Sequence, residues 1–354
     1  MQHLIHRVLR FFVLTLAAGL FVACSAPSTN PAVNSPDQFA WQRFMEVSRP
    51  IPGDPQGRVA WEGWALAREV FADPNATPDW DTLVAAPRTL EQLDPMPLQQ
   101  MAAHPEDAPV AAFDPALSPF GVNETRMNRA TFDFIVANNL WYIEGQEALF
   151  ASGHPIVFPV EAMEVKAQWR PVTPDQAPLY HTTTLTTADG QVHIFGLTAL
   201  HITTKDLPNW FWATWEHKAN PDRETVIPSR DRAGLPVQLK GTVWENYVLR
   251  GSQIDFVDST GRPTILANSQ IEEGFEATSS CITCHARATI GKRDPTLGGA
   301  ADRLDIFASV APLLGSTGAP NPDWFYTLSN GTVTPKYAQT DFVWSLLRAG
   351  RRNP

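Results

Sequence analysis

The sequence predicts an α+β fold: an antiparallel β-sheet core with helices before it and a helical extension after it. Three observations predict it. From Met163 to His217 the chain alternates apolar and polar residues in run after run, the period-2 mark of strands. Asp189-Gly190 and Ser259-Thr260-Gly261 punctuate the extended runs with residues suited to tight turns, which join neighbours antiparallel. Before Phe71 the apolar spacing is three and four, the spacing of helices.

Taken in order, "FAWQRFMEVSRP" and "VAWEGWALAREVF" predict two amphipathic helices, broken by "RPIPGDPQG". Residues 73–120 are Pro-rich and weakly periodic, an irregular segment wrapped over the body. Residues 123–142 are expected to begin helical and end extended. "AMEVKAQW" sets Met163, Val165, Ala167 and Trp169 against Glu164, Lys166 and Gln168, a half-buried strand. "PLYHTTTLTTADGQVHIFGLTALHITT" predicts a hairpin, "NWFWATWEH" an aromatic strand, and "QIDFVDSTGRPTILAN" a second hairpin. "DRLDIFASVAPLLG" and "TDFVWSLLRAG" predict the helices of the C-terminal extension. The organisation expected is a leader (1–23), a tether (24–38), a helical and Pro-rich N-terminal extension (39–122), a β-rich core (123–292) and a helical C-terminal extension (293–354).

The chain has 354 residues, 44% of them apolar and 18% charged, enough to bury a sizeable core. Its net charge of −10 and lack of a basic run exclude the usual nucleic-acid surface, which needs clustered Lys and Arg.

Arg7 and Arg10 precede "FFVLTLAAGLFVA", a run with the length and composition of a secretory leader's apolar region. It ends at Cys24. Phe21-Val22-Ala23-Cys24 resembles the lipobox of bacterial lipoproteins, with Phe where Leu is usual; this implies a lipidated Cys24, the alternative being ordinary cleavage. Ser25 after that Cys implies, by the same resemblance, the periplasmic side of an outer membrane. "SAPSTNPAVNSPD" reads as the tether.

Only three Cys occur in the chain. Cys281, Cys284 and His285 form Cys-x-x-Cys-His, in which two thiols meet the two vinyl groups of a haem and the following imidazole reaches its iron. A structural zinc site usually needs a second Cys pair, which is missing. A thioredoxin-like pair would stand at the front of a βαβ unit, which is also missing. One covalent haem c is therefore the cofactor expected, with His285 as proximal iron ligand. No Met or His follows the motif, so a strong sixth ligand must come from His104, His154, His181, His193, His201, His217, Met127 or Met163. A weakly occupied distal position is the other option. Ser279 or Ser280 is expected to cap the helix that carries the motif, and Glu272, Glu273 and Glu276 to form a solvated face.

Tyr142-Ile143, Gly153, Val165-Lys166, Gly196-Leu197, Lys205-Asp206, Asn209-Trp210 and the late Cys-x-x-Cys-His follow one another in an order that resembles the cytochrome P460 and cytochrome c′-beta family. The resemblance covers residues 138–290, under half of the chain. It implies a haem-binding sheet with the distal face against the aromatic strands, and it places Lys166 where P460 enzymes carry the lysine cross-linked to haem. A polar position on an alternating strand is the plainer reading of Lys166. Asn139 falls near a distal basic residue of those enzymes, a departure that weighs against hydroxylamine oxidation.

Two functions follow as expectations. One is a membrane-anchored periplasmic monohaem cytochrome that transfers electrons; the other is an open-site haem protein that binds or oxidises a small nitrogen oxide or peroxide. A sensory or structural haem domain in an envelope complex is a third. The expected partners are a redox protein or small haem ligand and the membrane through the N-terminal lipid, with a homodimer left open.

Overall fold

The computed structural model describes residues 29–86, 88–94, 121–187, 189–220, 229–272, 276–291, 304 and 317–352. The leader, Cys24, His104, Glu273 and most of "DRLDIFASVAPLLG" lie outside the described residues. None of the described helices is long and apolar enough to cross a membrane.

The fold is α+β, centred on a seven-stranded antiparallel sheet. Its strands are β1 (Ala65–Leu66), β2 (Val122–Met127), β3 (Met163–Pro171), β4 (Thr182–Thr186), β5 (Val192–Thr204), β6 (Phe211–His217) and β7 (Tyr247–Gln253). They lie in the order β1-β2-β3-β5-β6-β7, with β4 pairing to the first residues of the long β5 on the edge opposite β3. The expected hairpin around Asp189-Gly190 is β4–β5, and the aromatic strand is β6.

Each face of this sheet meets a different layer. Val165, Ala167, Trp169, Leu200, Ile202, Phe211, Ala213 and Trp215 share one cluster with Phe39, Trp41 and Phe44 of the helix Pro36–Val47. Period-2 geometry puts the strand residues on one side, and the helix lays its aromatic stripe across them. Phe39 meets Phe211 edge-on at 4.8 Å, and Phe44 lies 5.0 Å from Trp215. The opposite face carries Glu164, Lys166, Gln168, His201, Thr203, Trp212, Thr214 and Glu216 by the same alternation.

That polar face is buried, which departs from the half-buried strand expected. Glu164 and Gln168 are 7% and 0% exposed. The cause is the late part of the chain, which folds back over it: residues 266–272, the helix Cys281–His285 and the turn around Phe342 cover what alternation alone would leave to water. Glu272 and Glu276 are buried by the same layer, so the solvated acidic face expected there does not exist among the described residues.

Other elements differ as well. "VAWEGWALAREVF" is a 3-10 turn, the short β1 and one helical turn, because Trp61, Ala65 and Val70 are held by tertiary partners on different sides. Residues 123–142 run in the reverse order from that expected, with strand β2 first and the helix Arg129–Ala137 after it. Asn128 marks the switch: its side chain accepts from the Thr131 N–H and caps the helix. Tyr142-Ile143 opens the helix Ile143–Ser152, at the end of the stretch where extended chain is expected. Downstream of β7 the second hairpin is reduced to a bridge between Val257 and Pro263. The described C-terminal residues are mostly extended: β8 (Thr289–Gly291) pairs with β11 (Tyr337–Gln339), β9 (Tyr326–Ser329) with β10 (Thr332–Pro335), and only a 3-10 turn, Trp344–Arg348, stands where "TDFVWSLLRAG" predicts a helix.

Candidate haem-attachment site

Cys281 to His285 form one short helix. Ser280 caps it, its hydroxyl accepting from the Thr283 N–H at 3.4 Å. Gln253, the last residue of β7, docks the helix onto the sheet: its Oε1 accepts from Ile282 N at 3.0 Å and its Nε2 donates to Ser280 Oγ at 2.8 Å. Thr283 adds a third tie, donating to the Gly318 carbonyl at 2.7 Å. One turn of helix brings Cys281, Cys284 and His285 to adjoining faces, as i, i+3 and i+4 positions must be.

The imidazole of His285 is oriented by a backbone group. Its Nδ1 lies 2.8 Å from the carbonyl oxygen of Phe342, so Nδ1 carries the proton and donates, leaving Nε2 with its lone pair. Trp212 packs against the ring at 4.5 Å between centroids, and Trp344 stands edge-on at 6.1 Å. Burial pushes the His285 pKa down to about 3; the Phe342 carbonyl opposes this, and the Lys166 charge adds to it. The ring is neutral at physiological pH, the form a metal needs.

The carbonyl is held by an unusual turn. Asp341 and Phe342 both have left-handed backbone, with φ of 51 and 69°. Two such residues in succession, neither of them Gly, cost on the order of 1 kcal/mol or more each. Asp341 is clamped in place, its Oδ2 accepting from Phe158 N at 2.8 Å and its Oδ1 from Lys205 Nζ at 2.6 Å.

No disulfide joins Cys281 and Cys284; the first is buried and the second half-buried. Cys281 donates weakly to the Leu266 carbonyl at 3.5 Å. Burial raises both thiol pKa values, and Glu272 raises that of Cys281 further. A redox-active pair needs the opposite, a thiol stabilised as thiolate.

The polar sheet face supplies the rest of the surroundings. Antiparallel register sets Thr125, Lys166, His201, Thr214 and Gly251 side by side in one row, with Glu164, Thr203, Trp212 and Gln253 in the next. The Lys166 charge acts on Cys281, Cys284 and His285, which places it on their side of the sheet. Its ammonium makes no hydrogen bond or ion pair among the described residues. His201 Nε2 likewise has no hydrogen bond, lying 3.7 Å from Glu272 Oε2. Burial pushes the His201 pKa well down, helped by Lys166 and His285, and lifts Glu272 to about 7.

The other expected ligands lie apart. His181 bonds Glu62 at 2.7 Å in a buried charge network with Arg88, Glu124 and Arg126. His217 stacks on Tyr180 at 3.8 Å and donates to Leu179 O. His154 is exposed beside Ser152, and His193 pairs across to Leu185 near the turn end of β5. Met163 packs in the first cluster; Met127 is fully buried in the second, the cluster that contains Cys281. Asn139, exposed with φ 58°, terminates the helix Arg129–Ala137, a backbone role that explains its residue type. Of the histidines expected as sixth ligands, His201 is the described one whose charge couples to His285. A surface cleft lined by Asp54, Gln56, Arg58 and Arg88 holds arginines already engaged by Asp54, Glu62 and Glu124.

No group of three or more His, Cys, Asp or Glu side chains among the described residues has the geometry to hold a metal ion. A haem asks less of the chain, since the porphyrin itself supplies four ligands, and the two thiols with one oriented neutral imidazole fit it. Sequence reasoning missed Phe342, Asp341, Lys205 in its ion-pairing role, and Gln253. The Phe342 contact is a main-chain carbonyl 57 residues from His285 and leaves no residue-type signal. Compared with protein-family models, with curated proteins and with solved structures, the chain matches none.

Proposed function

We propose that the chain is a c-type cytochrome, carrying one haem on Cys281 and Cys284 with His285 as its proximal ligand, and that it works in electron transfer on the periplasmic side of a membrane. The observation that carries this reading is His285: neutral, on the same helical turn as both thiols, its Nδ1–H committed to Phe342 O and its Nε2 left to coordinate. When bound, the haem supplies one-electron chemistry. The chain's own part is to fix the ring tautomer, exclude water with Trp212 and Trp344, and hold a low-polarity wall against the attachment helix. Cys24 is the proposed lipid anchor, outer-membrane by its following Ser25.

Lys166, His201 and Glu272 favour a second reading, an open-site haem protein that binds or oxidises a small nitrogen oxide or peroxide. An ammonium with no hydrogen bond or ion pair among the described residues, and a buried imidazole beside a carboxyl, can hold and pass protons to a ligand on that side. Lys166 is also the proposed haem cross-link of the P460 resemblance.

Mass spectrometry of the peptide containing Cys281 and Cys284 tests the first claim: a haem adduct is expected, lost when both become Ala, and free thiols in the periplasmic protein would refute it. Absorption spectra with and without carbon monoxide then separate the readings. Indifference to carbon monoxide is expected for the electron carrier with His201 as sixth ligand, and His201→Ala should make the iron reactive. A ready shift in the unsubstituted protein supports the open site. A strongly displaced ferrous Soret band that Lys166→Ala abolishes would assign the cross-link.

A further inference from the structure

The carbonyl that orients His285 does not come from a regular element, and the turn presenting it is not one that its residues would adopt freely. Asp341 and Phe342 sit at φ 51 and 69°, and Phe is among the residues least suited to that region. On its far side the turn is stitched to the residue before β8 by the Thr340 N–H, which donates to Ala288 O at 2.9 Å, and closed by Val343 N donating to Thr340 O at 3.1 Å. The Val343 N–H belongs to the same planar peptide as the Phe342 carbonyl, so this bond aims that oxygen only while the left-handed turn from Thr340 to Val343 keeps its shape. What holds Asp341 itself is its side chain, with one oxygen on Phe158 N and the other on Lys205 Nζ. Lys205 is in turn fixed, donating to the Pro208 carbonyl at 2.8 Å from the end of β5, where its own N–H donates to Ala162 O at 3.0 Å. Both side chains of the ion pair are nearly buried, 8% and 9% exposed. Within the sheet, Lys205 is the residue after Thr204, the end of the strand that also carries His201.

We propose that Lys205 and Asp341 are positioning residues for His285: their buried ion pair holds the left-handed Asp341-Phe342 turn so that the Phe342 carbonyl accepts from Nδ1. By that bond the pair selects the tautomer with Nε2 free and makes the imidazole a stronger donor to iron. The effect reaches the ligand through one residue and requires no contact of Lys205 or Asp341 with the cofactor. The proposal rests on the haem reading for its consequence at iron, while the tautomer can be measured on the chain alone.

The test uses the full chain produced without haem, labelled with nitrogen-15 in its histidines, and the same variants loaded through export. In the unsubstituted chain the His285 signals, assigned by their loss in His285→Ala, are expected to report a single Nδ1–H tautomer. Lys205→Met and Asp341→Asn, near-isosteric changes that remove the charge pairing, are expected to give a mixture of tautomers. In the loaded protein they are expected to lower the iron–histidine stretching frequency and raise the reduction potential, because a less polarised imidazole stabilises ferric iron less. Asp206→Asn removes a different ion pair, with Arg43, and is expected to change none of these readouts. If Lys205→Met does not fold, Asp341→Asn decides. A single unchanged tautomer in the folded variants overturns the proposal. Failure of the unsubstituted protein to acquire haem would overturn the cytochrome reading and leave the tautomer result to decide this one.

Discussion

Glu164 and His285 are both buried on the polar side of the sheet, and burial moves both far from their ordinary titration values. Burial lifts the Glu164 carboxyl to about 7, against the opposing Ser345 hydroxyl that donates to it and the Arg348 charge. Since its folded value lies above the unfolded value of 4.5, folding favours the protonated acid. The stability it contributes is complete below that unfolded value and is lost as pH rises to and through 7. Glu164→Gln is therefore expected to gain on the unsubstituted protein by about 1–3 kcal/mol between about pH 4 and pH 8, read from urea unfolding at the two conditions. An equal difference at both would show that the carboxyl is not held neutral.

At the level of elements, the attachment helix is too short to be stable alone and is held by what it touches. Gln253 supplies the central link between β7 and that helix. Gln253→Ala should cost about 1–3 kcal/mol by leaving buried groups unpaired, measured by chemical unfolding, and should loosen haem retention under mild denaturant. The strands were legible because alternation is a local signal: Val165, Ala167 and Trp169 pointed to their face before any partner was known. The motif residues were legible because their chemistry requires their spacing. The helix "VAWEGWALAREVF" misled because its apolar residues satisfy a helical period while being used by two different clusters. Burial of Glu164 and Gln168 was not legible, since residues that cover them arrive 181 and 102 positions later, beyond the reach of any local pattern. The Phe342 carbonyl was illegible for a different reason, that every residue carries one.

Across the whole molecule, the sheet acts as a wall between two compartments. The first cluster, with Trp215 against Phe44 and Trp41, is a conventional apolar core. The second holds Trp212, Cys281 and Ile282 beside the polar row. Trp215 and Trp212 point to opposite sides of the same strand, so they separate stability from site chemistry. Trp215→Ala is expected to lose about 3–5 kcal/mol of stability; if the chain carries haem as proposed, its absorption bands should stay in place in that variant, whereas Trp212→Ala should shift them and the reduction potential. Bands displaced equally by both would mean that the two compartments are not independent.

The two thiols sit under the layer that closes the molecule, Cys281 against the Leu266 carbonyl and Cys284 beside it only half in reach of water. A chain that finished folding first would have shut its own attachment point. On the proposed cytochrome reading, the covalent bond to haem would therefore have to form while residues 317–352 are still open. On that reading the last segment would act as a seal, and haem capture would be a step on the folding route and not an addition to its product.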